Sequence, residues 1–311
     1  MESLQIIQRR IKGVKNINQI TKAMELVAAT KMRKSQEVAL ASRAYAYTAL
    51  DFLANLSKIE DVKIPALLKK RKIRKTAFVV VSSDKGLVGA FNSGVFRTFE
   101  NYLKKESIDI KNSYNIFIAF GQKAGNYLQR KGIAVEKIFT KFGDFTKLEE
   151  TKPLSDYLSD GYLEKKWDKV FIFSPHFRSA LNQEVLMRQI FPVDSKILHE
   201  TINELIPETG RFSEFRHEEV VSSNRIVEYI IEPSPEKVLQ ELAPHLVEMQ
   251  IYHLILEANA SKHAARRMAM KNASDNAEEL TEDLTLMYNK SRQAAITREI
   301  IEIVAGAEAA K

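Results

Sequence analysis

The chain has 311 residues, a formal net charge of +7, 45% hydrophobic and 28% charged side chains, and no cysteine. That length holds a sizeable core and suggests about two domains, and the composition is that of an ordinary soluble protein. The missing thiols exclude disulfides, thiolate metal sites and a cysteine nucleophile, and no run of about 18 apolar residues predicts a membrane span.

The N-terminal segment carries Arg9, Arg10, Lys12, Lys15 and Lys22 against the single acid Glu2. This balance resembles a targeting helix in charge, but no apolar core or small-residue cleavage site follows. Between Met1 and Ile64 there is no proline and one glycine, Gly13. Apolar residues recur at Leu4, Ile7, Ile11 and Val14, shift by one at Ile17, Ile20, Met24 and Val27, and resume at Val38, Ala41, Tyr45, Phe52 and Leu56. Three-four spacing with a stutter predicts one long helix with a narrow apolar seam, some 80 to 90 Å long at about 1.5 Å per residue.

The run KKRKIRK, Lys69 to Lys75, is the densest positive charge. It lacks the aromatic platforms or reading helix of a nucleic-acid binder and reads as a solvated linker. Beyond it the texture changes. Short runs rich in Val, Ile and Phe at Thr76–Ser82, Tyr114–Phe120, Trp167–Ser174, Glu184–Val193 and Arg225–Glu232 predict strands, and Asn92–Glu106 and Gln122–Arg130 predict helices between the first of them. Strands joined by helical crossovers make a mostly parallel, Rossmann-like sheet, with later strands antiparallel at an edge.

After Pro244 the only glycine is Gly306. A second long helix is expected there, with a seam including Leu254, Ala258, Ala273, Ala277, Leu280, Leu284, Met287, Ile296, Ile300 and Ile303. Small alanines let two helices approach closely and leave little volume for a wide bundle. Each terminal seam alone would lie exposed, so the two helices are expected to pair antiparallel. The expected fold is α/β: a long antiparallel two-helix coiled coil of N- and C-terminal helices, with an inserted Rossmann-like α/β domain. The expected boundaries are a first shaft helix over 1–64, a basic linker over 65–75, the α/β domain over 76–232 and a second shaft helix over 233–311.

Catalytic chemistry is hard to find. Gly89 and Gly94 in SSDKGLVGAFNSGVF have the separation found in a phosphate-cradling loop, but Val95 and Phe96 stand where Lys and Ser or Thr would be needed. A tight strand-to-helix turn is the simpler reading. No HExxH or GxSxG motif occurs. Asp84 and Lys85 read as surface charge at that turn, and His263 as solvated on a basic helical face. No catalytic, cofactor-binding or metal-binding residue is expected.

At ITKAMELVAATKMRKSQ, Ile20 to Gln36, the chain strongly resembles the gamma subunits of the F-type ATP synthases. The resemblance extends over nearly the whole chain through SSDKGLVGAFN, ASKHAARRMAMKNASDNAEEL and YNKSRQAAITREIIEIVAGAEA. It implies a central rotor shaft without an active site of its own. The terminal helices form the shaft, and the middle domain is the foot that meets the membrane c-ring and the epsilon subunit. Rotation drives the catalytic beta subunits of an alpha3-beta3 head through successive conformations. The implied location is peripheral, on the cytoplasmic face of a bacterial cell membrane, with no nucleic-acid partner and no cofactor.

By the same resemblance, Arg292, Gln293 and Thr297 in SRQAAIT match the catch that hydrogen-bonds to the catalytic subunits. Lys22 and Met24 in ITKAM, with Arg266 in HAARRM, match the coupling segment facing a beta subunit. Ile300, Ile303 and Val304 match the tip that turns in the bearing at the top of the head. As bare residues, the catch is a solvated helix face, Met24 a seam position and Lys22 a surface charge. The chain lacks the cysteine pair and insertion of the chloroplast form. A coiled-coil adaptor or chaperone is the chief rival, followed by a basic nucleic-acid binder and an enzyme with an α/β nucleotide domain.

Overall fold

The computed structural model describes residues 3–56, 65–141, 143–144, 146–193 and 232–309, with side chains from 42 to 56 left aside. In chain order the elements are α1 (Leu4–Leu56), β1 (Thr76–Val81), α2 (Phe91–Lys105), β2 (Asn115–Phe120), α3 (Gln122–Arg130), β3 (Val135–Phe139), α4 (Leu148–Leu163), β4 (Lys169–Phe177), β5 (Gln183–Phe191) and α5 (Pro235–Ala309). The expected strand over Arg225–Glu232 lies outside the described residues except for Glu232. The chain divides into two compact units, Met1–Ala28 with Arg267–Lys311, and Ala29–Arg266.

The larger unit is built on a five-stranded sheet of order β3-β2-β1-β4-β5. β1 pairs in parallel with β2 and β4, β2 with β3, and among the described residues only β5 is antiparallel, against β4. Burial on both faces explains why β1 reads TAFVVV without polar alternation. On one face Phe78, Val80, Phe117 and Phe173 pack with Val95, Phe99 and Leu128 of α2 and α3. On the other, Val79, Val81, Ile118 and Ile172 pack with Leu158 and Tyr162 of α4 and with Leu246, Val247, Ile251 and Ile255 of α5.

Two elements were not expected from the sequence, β3 and α4. β3 is a short edge strand, VEKIF, with two charged residues. α4 contains Pro153 and Gly161, both helix-disfavouring. Tertiary packing overrides those preferences: Leu154, Leu158 and Tyr162 are fully buried, and Gly161 lies so close to Trp167 that a Cβ there would fall 1.9 Å from the ring. α5 begins at Pro235. Ser234 caps it, its Oγ accepting from the Lys237 N–H at 3.3 Å, and Pro235 occupies the first helical position, where a missing N–H costs nothing. Pro244 is carried within the helix.

In the smaller unit α1 and α5 lie side by side. The Ser274 hydroxyl donates to Asn18 Oδ1, and Ile7, Thr21, Ala28, Met270, Ala277 and Leu284 are buried. The expected stutter is absent. The seam runs through Asn18 and Thr21, whereas Ile17, Ile20 and Val27 are more than half exposed. Thr21 is tolerated in the seam because its hydroxyl bonds back to the Ile17 and Asn18 carbonyls, each at 3.0 Å. On α5, Leu280, Met287, Ile296, Ile300 and Ile303 also lie outside the seam, each about half exposed or more.

Candidate functional site

The order β3-β2-β1-β4-β5 reverses direction between β1 and β4, the place where a doubly wound sheet opens its ligand crevice beyond the carboxyl ends of the strands. Here α5 lies across those ends. Val88 and Phe91, from the glycine turn after β1, pack on Ala265, and Phe177, the last residue of β4, packs on Ala260 and Ala264. The turn is organised around its own polar groups. Asn92 Oδ1 accepts the Ser83 N–H at 3.0 Å, and the Ser83 hydroxyl donates to the Lys85 carbonyl at 2.6 Å. Gly89 takes φ +53, as a tight turn requires. The turn therefore serves packing, in line with the simpler sequence reading.

Asp84 is tied to structure as well. Its two oxygens accept the N–H groups of Gln122, at the start of α3, at 2.8 Å and of Lys141 at 3.0 Å. A carboxylate at a helix N-terminus satisfies an otherwise unpaired amide and faces the positive end of the helix dipole.

The basic run is not wholly solvated. Lys69, Lys70, Lys72, Ile73 and Arg74 are exposed, but Arg71 turns inward. Its Nε donates to Asp168 Oδ1 at 2.7 Å, and one terminal nitrogen donates to the carbonyls of Tyr162 at 2.8 Å and Trp167 at 2.6 Å. Asp168 Oδ2 accepts the backbone N–H groups of Arg74 at 2.9 Å and Lys75 at 3.0 Å. Burial would raise the Asp168 carboxyl, but these two amides and the Arg71 charge together hold it below its ordinary value.

His263 is the clearest correction. It is fully buried, with Nε2 3.3 Å from the Asp144 carbonyl and Nδ1 3.3 Å from an Arg266 terminal nitrogen. Burial first, then the Lys262 charge, push it down to about 4, so it is neutral at pH 7. Asp144 receives Lys31 in a short ion pair and lies 3.7 Å from the Lys262 ammonium. Burial would raise this carboxyl, but the Lys31 hydrogen bond and the charges of Lys262 and His263 hold it below its ordinary range. Nothing in the sequence spacing links position 144 to positions 31, 262, 263 and 266; the fold alone assembles them.

Among the other expected site residues, Arg292, Gln293 and Thr297 lie exposed on α5, and the Thr297 hydroxyl donates to the Gln293 carbonyl at 2.9 Å. Lys22 is exposed and 3.6 Å from Glu25, and Met24 is half-buried. Arg266 is half-buried beside His263. Ile300, Ile303 and Val304 are exposed, as are Ile296 and Ile301. Among the described residues of their unit no element covers these side chains, nor Ile17, Ile20 and Val27 on α1. Among the described residues no helix is long and apolar enough to cross a membrane.

Comparison with known proteins agrees with this architecture. A family model described as ATP synthase matches residues 3–310. The ATP synthase gamma chain of Bdellovibrio bacteriovorus is 35% identical over 311 residues, covering all of both chains. That of Roseiflexus sp. is 37% identical over 311 residues, covering 99% of each. Among solved structures, a chain of the Euglena gracilis mitochondrial ATP synthase, in its OSCP/F1/c-ring assembly in rotational state 3, superposes with a TM-score of 0.62 at 16% identity, covering 98% of this chain and 94% of that one. A chain from the rotor of the same enzyme in rotational state 1 superposes with a TM-score of 0.58 at 14% identity, covering 94% and 98%. With the family matched along its whole length and full-length relatives above a third identical, the chain belongs to the ATP synthase gamma chain family.

Proposed function

We infer that this chain is the central rotor shaft of a proton-translocating F-type ATP synthase, coupling rotation of a membrane ring to conformational cycling of the catalytic subunits. The observation that carries this reading beyond family membership is the distribution of exposed apolar residues. Isolated surface leucines are ordinary, but an apolar stripe along one helix and an apolar end on another mark surfaces made for a partner. Ile17, Ile20 and Val27 form the stripe, and Ile296, Ile300, Ile301, Ile303 and Val304 the end. A shaft turning in a sleeve needs such a surface, apolar and with few charges that would lock it at one angle.

In this reading the chain has no active site of its own. Arg292, Gln293 and Thr297 form the catch against the catalytic beta subunits, Lys22, Met24 and Arg266 the coupling segment, and Ile300, Ile303 and Val304 the bearing tip. Residues 76–232 form the foot that engages the epsilon subunit and the c-ring, 1–64 and 233–311 the shaft helices, and 65–75 the connection between shaft and foot. The complex is peripheral on the cytoplasmic face of a bacterial membrane. Each proton crossing about 100 mV releases about 2.3 kcal/mol, so several crossings must be summed through one stiff coupler. Coupling then rests on different contacts with each conformation of the catalytic subunits.

The test is reconstitution of alpha and beta subunits from the same organism with and without this chain. A stable complex whose ATPase activity depends on the chain is expected. A monomer that neither assembles nor alters hydrolysis would favour the coiled-coil adaptor.

A further inference from the structure

One group of buried charges has no part in the catch, coupling segment or tip. His176 on β4, Arg188 on β5 and Glu257 on α5 meet inside the larger unit, each side chain no more than 7% exposed. Glu257 Oε2 lies 3.0 Å from His176 Nδ1 and 3.3 Å from an Arg188 terminal nitrogen. A second Arg188 nitrogen lies 3.3 Å from the same Nδ1. Nδ1 cannot both donate and accept, and the shorter contact assigns its proton to the bond with Glu257. Glu257 is thus held from both strands of the antiparallel pair at once.

The apolar part of the interface would not by itself fix where α5 sits along the sheet, and the polar contacts of Lys262 and His263 are to Asp144, in a loop outside the strands. Leu246, Val247, Ile251, Leu254 and Ile255 face the sheet, and apolar contact is non-directional and tolerant of exchange between similar side chains. A slide of one turn toward either end would bring His253 or Ser261 into the place of Glu257. Both are fully buried polar residues at helical spacing, so neighbouring registers are plausible competitors. Neither supplies a carboxylate to Arg188. The charge contact distinguishes one register from its neighbours, a use of buried ion pairs better supported than any net gain in stability.

We propose that Glu257, gripped by His176 and Arg188, is the register key that fixes the axial position of α5 on the sheet, so that the foot turns the helix without slip. The proposal rests on the rotor reading, but its first readout does not. The chain has no cysteine, so cysteines replacing Arg97 on α2 and His245 on α5 can carry a pair of spin labels without interference. In the purified full-length chain the unaltered key gives one narrow distance population. Replacing the triad by apolar residues, His176→Leu with Arg188→Met and Glu257→Leu, removes all three of its ionisable groups and leaves no member of the triad buried without its partners. A second or broadened population is expected, displaced by up to about 5 Å, one helical turn. If two registers become equally populated, protons pumped per ATP hydrolysed fall roughly twofold while hydrolysis continues. Should the triple variant not fold, Glu257→Gln, which keeps size and hydrogen bonding, is read in the same way. A folded variant with the single original distance and the original pumping ratio overturns the proposal. Failure of the unaltered chain to support ATPase activity would instead overturn the rotor reading and leave the distance result intact.

Discussion

The guanidinium carbon of Arg71 lies 4.1 Å from the centroid of the Tyr162 ring, while the Tyr162 hydroxyl donates to the Lys69 carbonyl at 2.9 Å. The two residues hold each other: the arginine stacks on the ring, and the ring's hydroxyl fixes the strand of chain from which the arginine springs. Together with Asp168 they clamp the segment that leads into β1.

Because Arg71 combines stacking with a fork of hydrogen bonds, lysine should not replace it. Arg71→Lys is expected to lose much of the clamp, and Arg71→Ala to cost about 2 to 3 kcal/mol by leaving the largely buried Asp168 carboxylate short of a partner. Urea unfolding of the isolated chain measures both. The lowered Asp168 carboxyl contributes stability that is present above its unfolded value of about 3.9 and is lost as pH falls through the lower folded value. Asp168→Asn should therefore weaken the protein at pH 7 and leave it less sensitive to acid below pH 4.

Gly161→Ala should be among the most damaging small changes in the chain. The added methyl would overlap Trp167, a buried ring whose indole N–H donates to the Leu158 carbonyl at 3.0 Å. Overpacking of this kind costs about 1 to 3 kcal/mol. Trp167 is the chain's single tryptophan, so its fluorescence reports the disturbance directly.

The fully buried His253 is pushed down to about 4, chiefly by burial, with the Glu257 charge opposing. Its folded value lies below the unfolded value of about 6.5, so in that window the unfolded chain binds the extra proton. Stability is complete above about pH 6.5 and falls as pH drops toward 4. At pH 5 the loss attributable to this one residue is about 2 kcal/mol. His253→Gln should flatten the stability profile between pH 7 and pH 5, and urea midpoints across that range decide it.

Gln293→Ala and Thr297→Ala should separate function from folding. Both side chains are exposed, and substitution at such positions changes stability by about 0.5 kcal/mol or less. Lower ATPase turnover or weaker coupling is expected in the reconstituted complex, with unchanged helix content by circular dichroism. Wild-type turnover and pumping in both variants would remove the catch from these residues.

Much of the fold is legible in the sequence because its signals are local. Runs such as TAFVVV and NIFIAF can be read as doubly buried strands without a partner in view, and the scarcity of proline and glycine near the termini predicts long helices. β3 and α4 escape because their own residues argue against them, and only packing on Phe139, Leu158 and Trp167 decides. The supposed stutter at Ile17 and Ile20 has a different cause. Hydrophobicity marks a surface that avoids water but does not say whether its partner is the same chain or another. His263 looks solvated because its neighbours in sequence are basic, while the groups that enclose it come from far away along the chain. The residues proposed for the catch and the tip carry no distinguishing local signal; family resemblance alone suggests them.

The passage of α5 across the carboxyl ends of β1 and β4 has a kinetic consequence. In a nucleotide-binding relative of this sheet, whatever fills that crevice arrives by diffusion and leaves at a finite rate. Here the occupant is covalently attached, its effective concentration is set by the chain itself, and release requires local unfolding. At that place a free nucleotide would therefore have to displace a packed part of the same chain.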